Sequence, residues 1–249
     1  MPHININSNK IHYNIRGEGS PLILLHDGFY NTTSWDSVRK ELSKHYLVID
    51  YDRFGYGESD RYTKSMTENL IDINVNELEI LLESLNLDKV YLCGHCLGGA
   101  VAVRYTLNHP DKVIKLIAES TGFFWDHKLG IKSDWTFKPF DMIDPALKKD
   151  LVSMNGEEYA RKFWEIISNY KNAYIMSEDY DILHELKNIG CPTFLISGDR
   201  DFYFDIEHTL KAFKKIKTCE LWVVPNTGHT PHKEAKEEFV VNVVKFLSK

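Results

Sequence analysis

Residues 90–103, VYLCGHCLGGAVAV, contain two overlapping motifs that indicate different folds and different chemistry. Residues 93–96, CGHC, have the C-x-x-C spacing of dithiol redox proteins. Residues 94–98, GHCLG, have the G-x-nucleophile-x-G pattern of a sharp strand-to-helix turn, with cysteine where serine is usual. The role of this turn decides which fold and which chemistry we expect.

The flanking residues favour the nucleophile turn. A dithiol motif needs both sulfurs at a helix N-terminus, where the helix dipole lowers the thiol pKa. Cys93 instead ends the apolar run VYLC, which is typical of a strand, so we expect a buried core residue there. Gly94 and Gly98 stand two residues to either side of Cys96, where a tight turn leaves no space for side chains. Cys96 is therefore the predicted nucleophile.

Short apolar runs alternate with helical patterns along the rest of the chain. Period-two alternation around a polar turn at 8–10 predicts an N-terminal antiparallel hairpin from residues 3–6 and 11–15. Nearly continuous apolar runs, typical of strands covered on both faces, occupy 21–26, 46–50, 90–93, 113–118, 192–197 and 221–224. Helical patterns occupy 34–44, 66–85, 97–107, 205–216 and 233–247. This order predicts an α/β fold with a mostly parallel, doubly wound sheet.

One segment interrupts the alternation. Residues 121–190 separate two predicted strands by far more than an ordinary connection. Helical patterns within this segment cover 145–154, 157–169 and 179–187. We therefore predict a core domain formed by residues 1–120 and 191–249, with a helical insertion over 121–190.

Composition restricts the classes of partner. The 249 residues carry a formal charge of -6 and no long basic run, which argues against nucleic acid or an anionic membrane as a partner. The first residues lack the pattern of a secretory leader and no apolar run of about 18 residues occurs, so we expect neither a leader nor a membrane span. The 4 cysteines are too few for a disulfide scaffold. We expect a cytoplasmic protein that acts on a small molecule.

Four further motifs follow predicted strands: LLHDGFYNTTSW at 24–35, DYDRFGYGESD at 50–60, ISGDRD at 196–201 and PNTGH at 225–229. Together with GHCLGG they resemble the α/β-hydrolase superfamily over essentially the whole chain, in particular esterase, lactonase and thioesterase members with a helical cap after the sixth strand. The order of nucleophile, acid and histidine is that of the superfamily. The resemblance implies a hydrolase that needs no cofactor and no metal.

The resemblance assigns the general base to His229, on the loop after the last strand. It assigns the acid that orients the imidazole to Asp201, with Asp199 and Glu119 as alternatives. Glu119 qualifies because some members of the superfamily take this acid from the end of the sixth strand. His232 lacks a cluster of further ligands at metal spacing, so we interpret it as a helix-start residue.

The predicted oxyanion hole combines the backbone N–H groups of Leu97 and Gly28. Asp27 departs from the family pattern, which has glycine at this position. A carboxylate beside a developing oxyanion is unfavourable unless it is turned away or paired. Arg53 is one candidate partner, and a structural arginine in the DRFGYG turn is the alternative.

The insertion is rich in aromatic side chains, some of which are expected to form its own core. The predicted substrate pocket contains Phe29, Phe124, Trp125 and Trp164. A thiol, with an ordinary pKa of about 8.5, would be partly ionised beside His229 and would attack an acyl carbon readily. We therefore predict hydrolysis of a small carboxylic ester, thioester or lactone through a Cys96 acyl-enzyme.

Two alternatives stay open at this point. One is a catalytically weak or inactive relative that binds a ligand or serves in signalling. The other is an engineered variant of a serine esterase in which cysteine has replaced the nucleophile.

Overall fold

The computed structural model describes residues 2–63, 69–126, 134–168 and 180–249. The described residues form an eight-stranded sheet with the order β1-β2-β4-β3-β5-β6-β7-β8. Its strands are β1 (His3–Ile6), β2 (Asn9–Arg16), β3 (Pro21–Leu25), β4 (Leu47–Tyr51), β5 (Val90–His95), β6 (Val113–Glu119), β7 (Thr193–Gly198) and β8 (Cys219–Val224). The pairs β1–β2 and β2–β4 are antiparallel and the remaining neighbours are parallel.

Helices lie between the parallel strands and after the last of them. They are α1 (Asp36–Leu42), α2 (Leu70–Ser84), α3 (Leu97–Asn108), α4 (Pro145–Asn155), α5 (Glu157–Ser168), α6 (Ile206–Phe213), α7 (Pro231–Glu234) and α8 (Lys236–Ser248). Short 3-10 turns occupy Thr32–Trp35, Asp134–Phe137, Phe140–Met142 and Leu186–Asn188. Within the described ranges, no helix combines the length and apolar character needed to cross a membrane.

The two faces of the sheet carry separate hydrophobic cores. Alternate residues of β3 point to opposite faces, so that Ile23 joins the core with α2 and α3 while Leu24 joins the core with α1 and α8. Burial on both faces explains why this strand is a continuous apolar run. The predicted α/β fold, its mostly parallel sheet and its N-terminal hairpin are confirmed.

Two parts of the insertion differ in how well the sequence predicted them. Helices α4 and α5 lie close to their predicted positions, and residue 169, the predicted end of α5, lies outside the described residues. The helix predicted over 179–187 is wrong for its described part, residues 180–187. There the backbone pairs instead with residues 123–125, through Ile182 N–H to Phe123 O (3.0 Å) and Trp125 N–H to Tyr180 O (2.6 Å). These long-range hydrogen bonds compete with helix formation.

The insertion packs on the loops at the carboxyl end of the sheet. Phe140, Leu151 and Phe163 form a third buried cluster with Tyr56 and Tyr62, which follow β4. The predicted start of α2 at residue 66 lies outside the described residues, and the helix begins after Asn69, whose side chain accepts the N–H of Ile71. The division into a core and a cap remains a prediction.

Candidate active site

Cys96 lies in a strained turn between β5 and α3. Its backbone has φ 54° and ψ -115°, a conformation that costs energy for a non-glycine residue and is frequent at functional sites. A Cβ atom at Gly94 would lie 2.2 Å from the Gly98 carbonyl oxygen, and one at Gly98 would lie 2.2 Å from the Leu25 carbonyl oxygen. The turn therefore requires both glycines. Cys93 is fully buried in β5, and burial raises the pKa of its thiol well above the ordinary value.

The loops after β7 and β8 bring an acid and a base together. His229 Nδ1 lies 2.9 Å from Oδ2 and 3.0 Å from Oδ1 of Asp201. Oδ1 also accepts the backbone N–H groups of Tyr203 (2.8 Å) and Phe204 (3.2 Å), so the carboxylate is fixed in orientation. With a carboxylate on Nδ1, the other ring nitrogen of His229 is left for proton transfer.

The charges around His229 favour its protonated form. Burial by itself lowers the pKa of this imidazole, but the neighbouring Cys96 sulfur and the Asp201 carboxylate raise it well above its ordinary value. Burial likewise disfavours the charged form of Asp201, but its hydrogen bond with His229 lowers the pKa of the carboxyl group. A protonated imidazole in this position can give its proton to a leaving group.

The other two candidate acids bind elsewhere. Asp199 accepts the backbone N–H of Thr227 at 3.2 Å. The Glu119 carboxylate is held by His232, whose Nδ1 lies 2.8 Å from Oε2. Of the three carboxylates, Asp201 is the one in hydrogen-bond contact with His229.

The backbone N–H groups of the predicted oxyanion hole lie beside the same cavity as Cys96. Within the described part of the chain, neither the Leu97 N–H nor the Gly28 N–H donates a hydrogen bond. A Cβ atom built on Gly28 would be 3.6 Å from the Leu97 side chain, so the two residues are in direct proximity. These donors are thus available to an oxyanion.

The Asp27 carboxylate is held by its own loop and also faces His95 of the nucleophile turn, whose Nδ1 lies 3.7 Å from Oδ2. Its Oδ1 atom accepts the N–H groups of Phe29 (2.7 Å) and Tyr30 (3.0 Å), and its Oδ2 atom accepts the Ser34 hydroxyl (3.3 Å). The hypothesis that Arg53 pairs with this carboxylate is wrong. The buried guanidinium donates to the main-chain oxygen of Asp27 instead, as a structural arginine would.

A cavity of about 710 Å³ lies over Cys96 and His229. Its apolar lining includes Phe29, Leu97, Trp135, Leu147, Ile167 and Tyr203. The Tyr203 ring meets the His229 ring edge-on with their centroids 4.9 Å apart. The described lining is therefore largely aromatic and aliphatic.

Of the four predicted pocket residues, Phe29 lies in the cavity wall. Trp164 lies behind it, 1% exposed and stacked on Phe29 at a centroid distance of 5.6 Å. Phe124 stacks on His208 at 4.1 Å, and neither it nor Trp125 is among the described lining residues. Aromatic content alone does not indicate which rings line the cavity, because the orientation of each ring depends on contacts between distant segments.

Sequence reasoning did not single out Tyr203 or Trp135 as site residues. Tyr203 lies two residues beyond Asp201, and this proximity was the one signal that could have found it. Trp135 contacts Phe29 and Tyr203 across the cavity, at centroid distances of 5.5 and 6.0 Å. Nothing in the local sequence separates Trp135 from the other aromatic residues of the insertion.

One group among the described residues has the donor atoms of a metal site. Ligand-type atoms of His95, Glu119 and His232 lie within 4.8 Å of one another, all buried. The carboxylate and His232 already hydrogen-bond each other, and His95 Nε2 donates to the His229 carbonyl oxygen at 2.9 Å. This geometry is that of a hydrogen-bonded network.

A sequence-family model described as "alpha/beta hydrolase fold" matches residues 21–151, so the chain belongs to this family. It is 24% identical to a 2-hydroxy-6-oxo-6-phenylhexa-2,4-dienoate hydrolase of Comamonas testosteroni, over 95% of this chain and 91% of the relative. It is 26% identical to a pimeloyl-(acyl-carrier protein) methyl ester esterase of Nitrosospira multiformis, over 92% and 95%. The enol-lactonase from Burkholderia xenovorans LB400 has a similar structure, with a TM-score of 0.78 and 20% identity over 100% of both chains.

Proposed function

We propose that this protein hydrolyses carboxylic esters, thioesters or lactones through an acyl-enzyme on Cys96. The single observation that carries the proposal is that His229, paired with Asp201, lines the same cavity as a half-buried cysteine in a strained turn, whose sulfur acts on the His229 imidazole. Cysteine, histidine and aspartate in these positions perform nucleophilic acyl transfer.

The reaction would proceed in two steps. The Cys96 sulfur attacks the acyl carbon, and the Leu97 and Gly28 N–H groups bind the resulting oxyanion. His229 then gives its proton to the leaving alcohol or thiol as the bond to the acyl carbon breaks. Water, deprotonated by His229, hydrolyses the thioester and releases the acid and the free thiol.

The cavity wall favours an apolar substrate. Burying one methylene group is worth about 0.8 kcal/mol, which corresponds to about a fourfold gain in kcat/KM. We therefore expect kcat/KM to rise from p-nitrophenyl acetate to butyrate and hexanoate. A medium-chain ester fits within about 710 Å³.

The test combines turnover with intact-mass measurement on these esters. We expect turnover together with an acyl adduct on the parent protein, and neither with Cys96→Ala. Cys219→Ala is a matched control because Cys219 is the other half-buried cysteine, and it should keep both signals. Absence of turnover and adduct in the parent, together with ligand binding, would favour a binding or signalling protein instead.

A further inference from the structure

A buried carboxylate lies next to the candidate active site without contacting its base. Glu119 is the last residue of β6 and is fully buried. Its Oε1 atom accepts the backbone N–H of His232 at 2.7 Å, and its Oε2 atom lies 2.8 Å from His232 Nδ1. One carboxylate thus holds both the backbone and the side chain of a residue three positions beyond His229.

The backbone of Glu119 contacts the nucleophile turn. Its carbonyl oxygen accepts the N–H of Cys96 at 3.0 Å. Glu119 therefore connects two segments. Its main chain contacts the nucleophile turn, and its side chain contacts the loop that carries the base. His232 is fixed from the opposite side, where Nε2 lies 3.1 Å from the Ser34 carbonyl oxygen.

His95 provides a second connection between the same segments. Its ring centroid lies 4.9 Å from those of both His229 and His232, and its Nε2–H donates to the His229 carbonyl oxygen at 2.9 Å. The base loop is thus held at His229 by His95 and at His232 by Glu119. His232, His95 and Cys93 are the titratable groups that act on Glu119.

A buried carboxylate of this kind needs a reason beyond stability. Burial lowers the pKa of the His232 imidazole, so the contact is a hydrogen bond from a neutral ring to a charged carboxylate, and removing that charge from water costs several kcal/mol. Its hydrogen bonds do specify orientation, and a displacement of about 1 Å in a catalytic group can reduce the rate about 100-fold.

We propose that Glu119 is a positioning residue, which acts through His232 to hold the His229 imidazole against Cys96. The role in catalysis rests on the proposed function, but the Cys96–His229 pair can be measured without any ester. Alkylation of Cys96 by iodoacetamide follows its thiolate form, and its pH profile therefore reports whether the imidazole is in place.

The test uses Glu119→Gln, which keeps the shape of the side chain. Its amide NH₂ group must face either the backbone N–H or the ring Nδ1–H of His232, and both of these groups are donors. We expect the pH profile of Cys96 alkylation to move to higher pH than in the parent, because a displaced imidazole stabilises the thiolate less. With an ester, kcat should fall about tenfold or more while KM stays within about twofold.

Glu77→Gln is the matched control. Glu77 is also a buried glutamate that accepts a backbone N–H, from Phe54 at 3.0 Å, but it does not contact the base loop. We expect its alkylation profile to match that of the parent. His232→Gln should reproduce the shift of Glu119→Gln, and the double variant should be no worse than either single variant, because both residues act in one interaction.

Two results would overturn the proposal. One is an unchanged alkylation profile in both Glu119→Gln and His232→Gln, even if their melting temperatures fall, because that is the signature of a purely structural pair. The other is an equal shift in Glu77→Gln, which would indicate a general response to loss of a buried charge. If the variants shift the profile but the parent hydrolyses no ester, the positioning role is supported and only the proposed function is contradicted.

Discussion

The replacement Asp201→Asn tests how His229 receives its proton. Oδ1 of Asp201 accepts two backbone N–H groups, from Tyr203 and Phe204, so the asparagine oxygen must take that position. The amide NH₂ then faces His229 Nδ1 as a donor, and the imidazole must carry its proton on the other nitrogen. In this tautomer His229 cannot accept the proton of Cys96.

The size of the effect follows from the thiol itself. Without a base, a thiol of pKa about 8.5 is about 3% ionised at pH 7 and about three-quarters ionised at pH 9. Acylation by p-nitrophenyl acetate should therefore slow about 30-fold at pH 7 and by less than about twofold at pH 9, since p-nitrophenolate leaves without a proton. A serine nucleophile would lose about 10⁴ in kcat from the same change of tautomer.

The measurement is the burst of p-nitrophenolate in a stopped-flow instrument between pH 6 and 9. Asp199→Asn is the matched control, because Asp199 lies in the same loop but accepts the N–H of Thr227 instead of contacting His229. It should change the burst rate less than twofold. The reasoning is refuted if the two variants are equally slow, or if the loss in Asp201→Asn does not depend on pH.

Three further changes test other parts of the structure. Cys96→Ser should lower turnover if the site is built around a thiol. If the serine variant is instead at least about tenfold faster, which corresponds to a barrier lower by about 1.4 kcal/mol, the protein is a serine enzyme whose nucleophile has been replaced. Iodoacetamide should label Cys96 rapidly and spare the fully buried Cys93 in the native protein, so peptide mapping that finds both labelled, or a disulfide between them, contradicts the assignment. Burial raises the pKa of Glu77 to about 7, so the parent loses stability as pH rises from the unfolded value of about 4.5 towards 7. Denaturant titrations should therefore show that the unfolding free energy of Glu77→Gln, minus that of the parent, rises by about 3 kcal/mol between pH 4.5 and 7. A difference that stays constant with pH would show that Glu77 titrates normally.

The sequence alone determined the architecture and the position of the turn. The nucleophile turn is only partly a local feature: Gly94 is required by the Gly98 carbonyl four positions away, whereas Gly98 is required by the Leu25 carbonyl of the neighbouring strand β3. Parallel strands buried on both faces appear as apolar runs, and the order of strands and helices restricts the topology. Apolar runs and the order of elements depend on residues close together in the sequence, so they can be recognised before the tertiary structure is known.

The tertiary structure decided which polar groups meet. Glu119 and His232 are 113 residues apart, and the sequence predicts unrelated roles for them, one as an alternative acid and the other as a helix-start residue. His232 does lie in the short helix α7, but its ring is buried against β6. Likewise, Asp27 accepts hydrogen bonds from its own loop, and Trp164 stacks on Phe29 and is not among the described lining residues of the cavity. Local patterns carry no information on such partners, because hydrogen bonds and ring contacts between distant segments form only when the sheet has assembled.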